Sequence, residues 1–514
     1  MNMPPPCVNI WLRETASGGT MNGSVSASGG THSIKGVLLP KDPADLFVVL
    51  YDLLPERPFL GLTANQWHGD LFVHQLADEI CEEATANGTV DTARVEKIFG
   101  QHGEKGIFAA LTGLDQVLGA VNPFSGARCP SALNKIARRY NEKNQLNDPE
   151  GPTTGLLLPR CTRPGKLLAQ PTGRPDFFNV HRVTADDCRN VRHIGFKQRN
   201  GAHFSGKKAI PIGSAPLLES YDDLKFDFHQ VDGTTFYKVS TRDERLRDRI
   251  DHVVKNLDES GAEIGVMPES TLSNALYDHW KTHVGTEPEG SRLRWVLLGT
   301  GPLGEDDPPP NRAVLVDRST GETILTHDKV HGFTMGKGQA DRWQLPRRPE
   351  HERAAEYLER GEGVTVVETA IGRVAVLICE DIKQSTDWEA PLRAFGVSHL
   401  FVPLLSSPIS RAIRRWDRLA AERCVEVIGA WVVLANSLAV GDRMNLPPEN
   451  RFNTLVVGPR LPRSLDNGDH VAQFARSENG TELARVVEEG QEGGEMRRDP
   501  EGGPLPTIVR GGTA

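Results

Sequence analysis

From about residue 65 to 150, apolar residues recur at three- and four-residue intervals in LFVHQLADEICEEA, ARVEKIFGQ, KGIFAALTGLDQVLGAV and SALNKIARRYNEK. That spacing is the period of amphipathic helices, and it predicts a small helical module. After about residue 205 the pattern changes to short apolar runs alternating with amphipathic stretches. AEIGVMP, RWVLLG, AVLVD, ETILT, VTVVET, RVAVLI, HLFVPL, WVVLAN and TLVVG predict strands. Between them, Arg245 to Leu257 predicts a helix with Leu246, Ile250, Val253, Val254 and Leu257 on one face and Gly261 as its stop. A second helix is expected over about 409–428. Strands alternating with helices predict a layered α/β architecture. Residues 1–35, 150–205 and those after about 485 lack any apolar period and are rich in Gly, Pro and polar residues. The expected organisation is a disordered tail (1–35), a helical accessory region with a linker (36–205), an α/β domain (206–484) and a second disordered tail (485–514).

Composition narrows the class. A chain of 514 residues is too long for one ordinary core, and 25% charged with 38% hydrophobic residues is the balance of a soluble globular protein. The net charge of -9 leaves no Lys/Arg surplus to neutralise phosphates, so no nucleic acid is expected as partner. No run approaches the roughly 20 apolar residues that cross a bilayer, and the first residues lack a signal peptide's basic start, so the expectation is a cytoplasmic protein with no membrane partner. The seven cysteines are odd in number and scattered, which suits reduced thiols better than a disulfide framework. Cys161, His181, Cys188 and His193 lie in one region, but no pair has the close spacing of a zinc site, and no metal is expected there.

Four reactive side chains stand where a strand meets a loop, a placement that lets rigid elements hold them. Glu269 follows GVMP, Lys329 follows ETILTHD, Glu356 precedes VTVVET, and Cys379 closes RVAVLI. Carboxylate, ammonium and thiol supply a general base, an oxyanion stabiliser and a nucleophile. Each has a plainer reading. Glu269 could be a carboxylate at a helix N-terminus, Lys329 a solvated cation among His327, Asp328 and His331, and Cys379 a buried strand cysteine. Glu356 has Glu352, Glu359 and Glu362 close by, in a segment that reads as an exposed amphipathic helix. Arg411, Arg414 and Arg415 read as a solvated helix face.

At these residues the chain resembles the carbon-nitrogen hydrolase (nitrilase) superfamily, over about residues 222–480. The resemblance rests on VMPES, THDKVHGF and IGRVAVLICEDI in that order, with HLFVPLLSSP and WDRLAAERCVEVIGAWVVLANS downstream. It implies a four-layer α-β-β-α sandwich, a homo-oligomer, and catalysis by Glu269, Lys329, Glu356 and Cys379 without cofactor or metal. The implied activity is thiol-dependent hydrolysis of a small-molecule amide, in preference to a nitrile, through an acyl-thioester on Cys379. Acyl transfer to an amine, ammonia supply by a glutaminase, and a non-catalytic binding module remain open on the same scaffold. The stretch GKGQADRWQLPRRPEHERAA between Lys329 and Glu356 is longer than the compact family pattern, and such a loop would border the site. The first 200 residues carry no motif.

Overall fold

The computed structural model describes residues 32–120, 155–159, 173–184, 187, 190–195, 209–286, 288–345, 353–369, 371–410, 415–444, 451–459, 470–486 and 505–508. The N-terminal part of these is helical. Pro43–Leu53, Leu71–Asn87, Thr92–His102 and Glu104–Ala120 form one cluster around Phe47, Leu50, Ile80, Phe108, Leu111 and Leu114. The helix Pro43–Leu53 was not expected from the sequence, yet its start has a clear cause. Pro43 opens the first turn, and the Asp42 carboxylate accepts from the Ala44 and Asp45 amides at 2.9 and 3.1 Å. Gly113 lets Glu104–Ala120 approach Leu71–Asn87, because a Cβ there would run into the Ala77 carbonyl.

The larger part is a four-layer α-β-β-α sandwich. One six-stranded sheet runs in the order Thr323–Asp328, Asn311–Asp317, Trp295–Pro302, Ile264–Val266, Ala209–Ser214, Leu505–Ile508. An eight-stranded sheet runs Arg485–Val486, His470–Arg476, Thr454–Pro459, Trp431–Asn436, His399–Leu404, Gly372–Val376, Val364–Thr369, Val191–Gly195. Residue alternation along the strands decides the layering. Trp295 and Leu297 join the core shared with Val366, Val376, Val402 and Leu434 of the second sheet. Their neighbours Val296 and Leu298 face the other way, onto Leu246, Ile250, Leu276 and Trp280 of the helices Asp243–Ser260 and Asn274–His283. Leu392, Ala421 and Val425, from Ser385–Ala394 and Trp416–Ile428, cover the outer face of the eight-stranded sheet.

A smaller four-stranded sheet lies beside the sandwich, in the order Thr334–Gly336, Arg353–Glu356, Thr234–Thr241, Leu224–Val231. Its hairpin turns on Asp232 and Gly233, both at positive φ (49° and 78°), the two-residue Asp-Gly turn whose twist suits antiparallel strands. Arg353–Glu356 pairs in parallel with the hairpin, setting Glu356 opposite Tyr237. The segment around Glu356 is therefore a strand where the sequence suggested an exposed helix. Four residues of strand are too short for a period to show, and pairing decides their conformation.

Two boundaries also move. Val191–Gly195, within the stretch read as linker, adds a parallel edge strand to Val364–Thr369. Leu505–Ile508, within the stretch read as a C-terminal tail, pairs in parallel with Ala209–Ser214. Both occupy sheet edges, where unpaired backbone groups accept any extended segment that reaches them. The C-terminal helix begins at Trp416, so of the three arginines read as its first turn, Arg415 is its N-cap and Arg411 and Arg414 lie outside the described residues. The expected helix SALNKIARRYNEK, Cys161 and Cys188, and most of the two expected tails also lie outside them. The helical part meets the sandwich through Asp176, which accepts from Arg393 at 2.6 Å on the helix Ser385–Ala394. Among the described residues, no helix is long and apolar enough to cross a membrane.

Candidate active site

The sandwich brings the four residues singled out in the sequence into one cluster. Glu269 leaves the strand Ile264–Val266 through Met267 and Pro268, and reaches across to the other sheet. Its own amide donates to the Leu404 carbonyl at 3.3 Å, and its Oε2 accepts from the Leu405 amide at 2.9 Å. The carboxylate is thus clamped between the two sheets. Lys329 follows the strand Thr323–Asp328, with its amide donating to the Asn311 carbonyl at 2.9 Å. Its Nζ donates to Glu269 Oε1 at 2.8 Å and to Glu356 Oε2 at 2.7 Å. Glu356 also accepts from the Phe333 amide at 2.9 Å. Cys379 follows the strand Gly372–Val376, with its buried thiol beside Glu269 and the Leu405 amide.

Cys379 sits at φ 47°, in the left-handed region that a side chain adopts at a cost of order 1–3 kcal/mol. The bend ends the strand and starts the one-turn helix Cys379–Lys383, presenting the sulfur toward Glu269 rather than along the sheet. Asp381 holds this turn. One of its oxygens accepts from the Ile378 amide at 3.1 Å, and the other accepts from the amides of Val330 and His331 at 3.2 and 2.8 Å. His327 and His331 complete its partners at 3.3 and 3.2 Å. A single buried carboxylate therefore fixes the residue before Cys379 relative to the residues after Lys329. Burial works against its charge, but the hydrogen bonds from the two histidines outweigh burial and hold its pKa well below the usual carboxylate range.

The ionisation of the cluster follows from burial and proximity. Lys329 is 1% exposed, Glu269 3% and Cys379 8%. Burial would strip the Lys329 proton, but Glu269 and Glu356 reverse that and raise its pKa well above the ordinary lysine value. Burial raises the Glu269 pKa and the Glu356 charge adds to it, while Lys329 opposes both. The Cys379 thiol is pushed well up by burial and then by the Glu269 charge. At rest the cluster holds an ammonium between carboxylates and a neutral thiol. A carboxylate of raised basicity stands beside that thiol, so the sulfur can be activated at the moment of attack instead of standing as a thiolate.

Two members of the cluster were missed by sequence reading. Asn311 donates from Nδ2 to Glu269 Oε1 at 3.0 Å and to Glu356 Oε1 at 3.4 Å. Tyr237 lies buried beside Glu356 and Lys329, with its hydroxyl donating to the Phe333 carbonyl at 3.4 Å. Burial, and then the Glu356 charge, push the Tyr237 phenol well up, so it stays protonated. The Asp-Gly turn at 232–233 between alternating runs signalled the hairpin that carries Tyr237. For Asn311 only its place at the head of the strand Asn311–Asp317 was visible. A cleft lined by Ser270, Pro310, Asn311, Glu356, Tyr357 and Leu358 opens beside the cluster.

No family model matches the chain. Over 201 residues it is 25% identical to the deaminated glutathione amidase of Yersinia enterocolitica, a stretch covering 36% of this chain. The chain spans 65% of that relative's length. The resemblance to carbon-nitrogen hydrolases read from the sequence thus accords with a curated relative that is an amidase. Among solved structures, a mutant Nesterenkonia AN1 amidase of the nitrilase superfamily is similar at 16% identity and a TM-score of 0.32, over 55% of this chain and 91% of that one. Nit3 of Saccharomyces cerevisiae, also of that superfamily, is similar at 18% identity and a TM-score of 0.31, over 54% and 88%. The glutamine-dependent NAD+ synthetase of Acinetobacter baumannii is similar at 13% identity and a TM-score of 0.33, over 55% and 48%.

Proposed function

We propose that the chain hydrolyses the carbon-nitrogen bond of a small-molecule amide through a thioester on Cys379. The observation that carries this reading is the burial of the Cys379 thiol beside Glu269, next to an ammonium that Glu269 and Glu356 share. In the first half-reaction Glu269 takes the thiol proton as sulfur attacks the amide carbon. The negative charge arriving on the substrate oxygen is met by Lys329 and by a backbone amide near Cys379. Collapse of the tetrahedral adduct breaks the carbon-nitrogen bond, and Glu269 returns its proton to the departing amine. Water then adds to the thioester as Glu269 accepts its proton, releasing the acid and restoring the thiol.

Within this scheme Glu356 and Asn311 are positioning residues, acting on Lys329 and Glu269 rather than on substrate. Amide is preferred to nitrile because the curated relative is an amidase. The reading takes the enzyme to be homo-oligomeric, as the sequence resemblance implies, and cytoplasmic, as expected from the sequence pattern, and no cofactor takes part. The test is product release, followed by mass spectrometry, from a panel of amides, ureas and nitriles with wild type and with Cys379→Ala. Turnover that disappears in the variant, together with a trapped acyl adduct on Cys379 in wild type, is the expected result. Turnover kept by Cys379→Ala overturns the proposal.

A further inference from the structure

On the outer helical layer, away from the Cys379 cluster, the helix Asn274–His283 presents His279 and His283 one turn apart. Residues at this i, i+4 spacing lie on one face of a helix. Both rings turn toward the neighbouring helix Asp243–Ser260, where exposed Asp251 stands on the flank of the stripe of buried Leu246, Ile250, Val253 and Val254. His279 Nε2 lies 2.6 Å and His283 Nε2 lies 2.8 Å from the same oxygen, Asp251 Oδ1. The ring centroids are 5.0 Å apart, and the three donor atoms fall within 4.8 Å of one another.

We propose that Asp251, His279 and His283 bind a zinc ion that bridges the two helices. Two imidazoles and one carboxylate are a donor set suited to zinc among the available divalent metals. Zinc takes such donors at about 2.0–2.2 Å, so the three side chains need only turn outward slightly, and their partial exposure leaves them room to do so. The remaining position faces solvent and takes water. In the metal-free chain His279 is hydrogen-bonded to this carboxylate oxygen and His283 stands 2.8 Å from it, so the ligands are gathered on one point before the ion arrives. That gathering reduces the ordering cost that a site assembled from free side chains would bear.

The consequence is structural. The helix Asn274–His283 continues directly from the loop that carries Glu269, and its N-cap Ser273 bonds both the Leu276 amide and Asp243 at 3.1 and 2.8 Å. A bridge at the other end of the helix ties it to Asp243–Ser260 at two points. The bound ion therefore raises the thermal midpoint while leaving the chemistry at Cys379 to its own residues.

The experiment uses the full chain stripped with EDTA, then exposed to zinc chloride and desalted, with metal content measured by mass spectrometry and melting followed with and without zinc. Wild type and Cys379→Ala are expected to retain one zinc equivalent and to melt higher with zinc. The paired substitution His279→Ala with His283→Ala loses that equivalent and the shift. Asp251→Asn, a milder change, weakens zinc by about tenfold or more, since even changes around a ligand cost that much. Melting without zinc shows that each variant is folded. Cobalt(II) supplies an independent readout, with a visible band in wild type that is missing from the double variant. A double variant that keeps its zinc, or a folded wild type that takes up none, overturns the site.

Discussion

Replacing Glu269 by Gln separates its two effects on Cys379, because they have opposite signs. As a negative charge beside the thiol, Glu269 opposes formation of the thiolate. In the proposed reaction it is the proton acceptor that allows the sulfur to attack. Glutamine keeps the shape and still accepts from the Leu405 amide, while Lys329 keeps Glu356 at 2.7 Å. Two unit charges about 4 Å apart interact by about 4 kcal/mol at an effective dielectric of ~20. Loss of that repulsion, together with a Lys329 that has one carboxylate fewer, lowers the thiol pKa. Alkylation of Cys379 by iodoacetamide, followed by mass spectrometry across pH, should therefore begin at lower pH in Glu269→Gln. Amide turnover should fall by roughly 100- to 10,000-fold, the usual loss with a general base. The alkylation profile needs no knowledge of the substrate. A profile that stays in place or moves upward would refute the electrostatic account, and turnover near the wild-type rate would refute the role of Glu269 as base.

Because Glu269 has a raised pKa and must be ionised to act, kcat/KM should be lost as pH falls through a value above the ordinary glutamate range of about 4.3. Glu356→Gln removes the like charge that contributes to that rise, so the acid limb of the pH-rate profile should shift downward. Asp381→Asn weakens an ionic hydrogen-bond network, and urea unfolding should show a loss of about 2–4 kcal/mol together with reduced turnover; wild-type values for both would remove Asp381 from its positioning role. Burial disfavours the charge on Glu368, but Arg373 and His193 outweigh it and hold the Glu368 pKa at about 2. A carboxylate depressed in this way contributes stability that is fully present above its unfolded pKa of about 4.3 and is lost as pH falls toward about 2, amounting to about 3 kcal/mol. The pH dependence of urea unfolding between those limits should flatten in Glu368→Gln.

The features legible in the linear chain are those in which one element carries its own signal. The runs of the central strands are long enough for β-branched and apolar residues to mark them. The stripe Leu246, Ile250, Val253, Val254, Leu257 and the stop at Gly261 (φ 76°) define a helix without help from any partner. For the same reason Glu269, Lys329 and Cys379 were visible: each ends or follows a strand that its own residues predict. Glu356 was legible only through its distance to the next strand, and its own segment was misread as helix, because Arg353–Glu356 takes its conformation from pairing with Thr234–Thr241. The edge strands Val191–Gly195 and Leu505–Ile508 are likewise products of the sheets they join.

The chemistry of the cluster arises from packing between distant segments. Lys329 is an ordinary lysine until two carboxylates from distant parts of the chain meet it in a buried site, and Asp381 is one acidic residue among many until three backbone amides converge on it. Tyr237 and Asn311 carry no motif because their roles consist of proximity, and Asp251 faces His279 and His283 only because two helices pack side by side. Local pattern reports what a segment can bury by itself. Burial against another segment, and the shift in ionisation that follows, depends on contacts far apart in sequence.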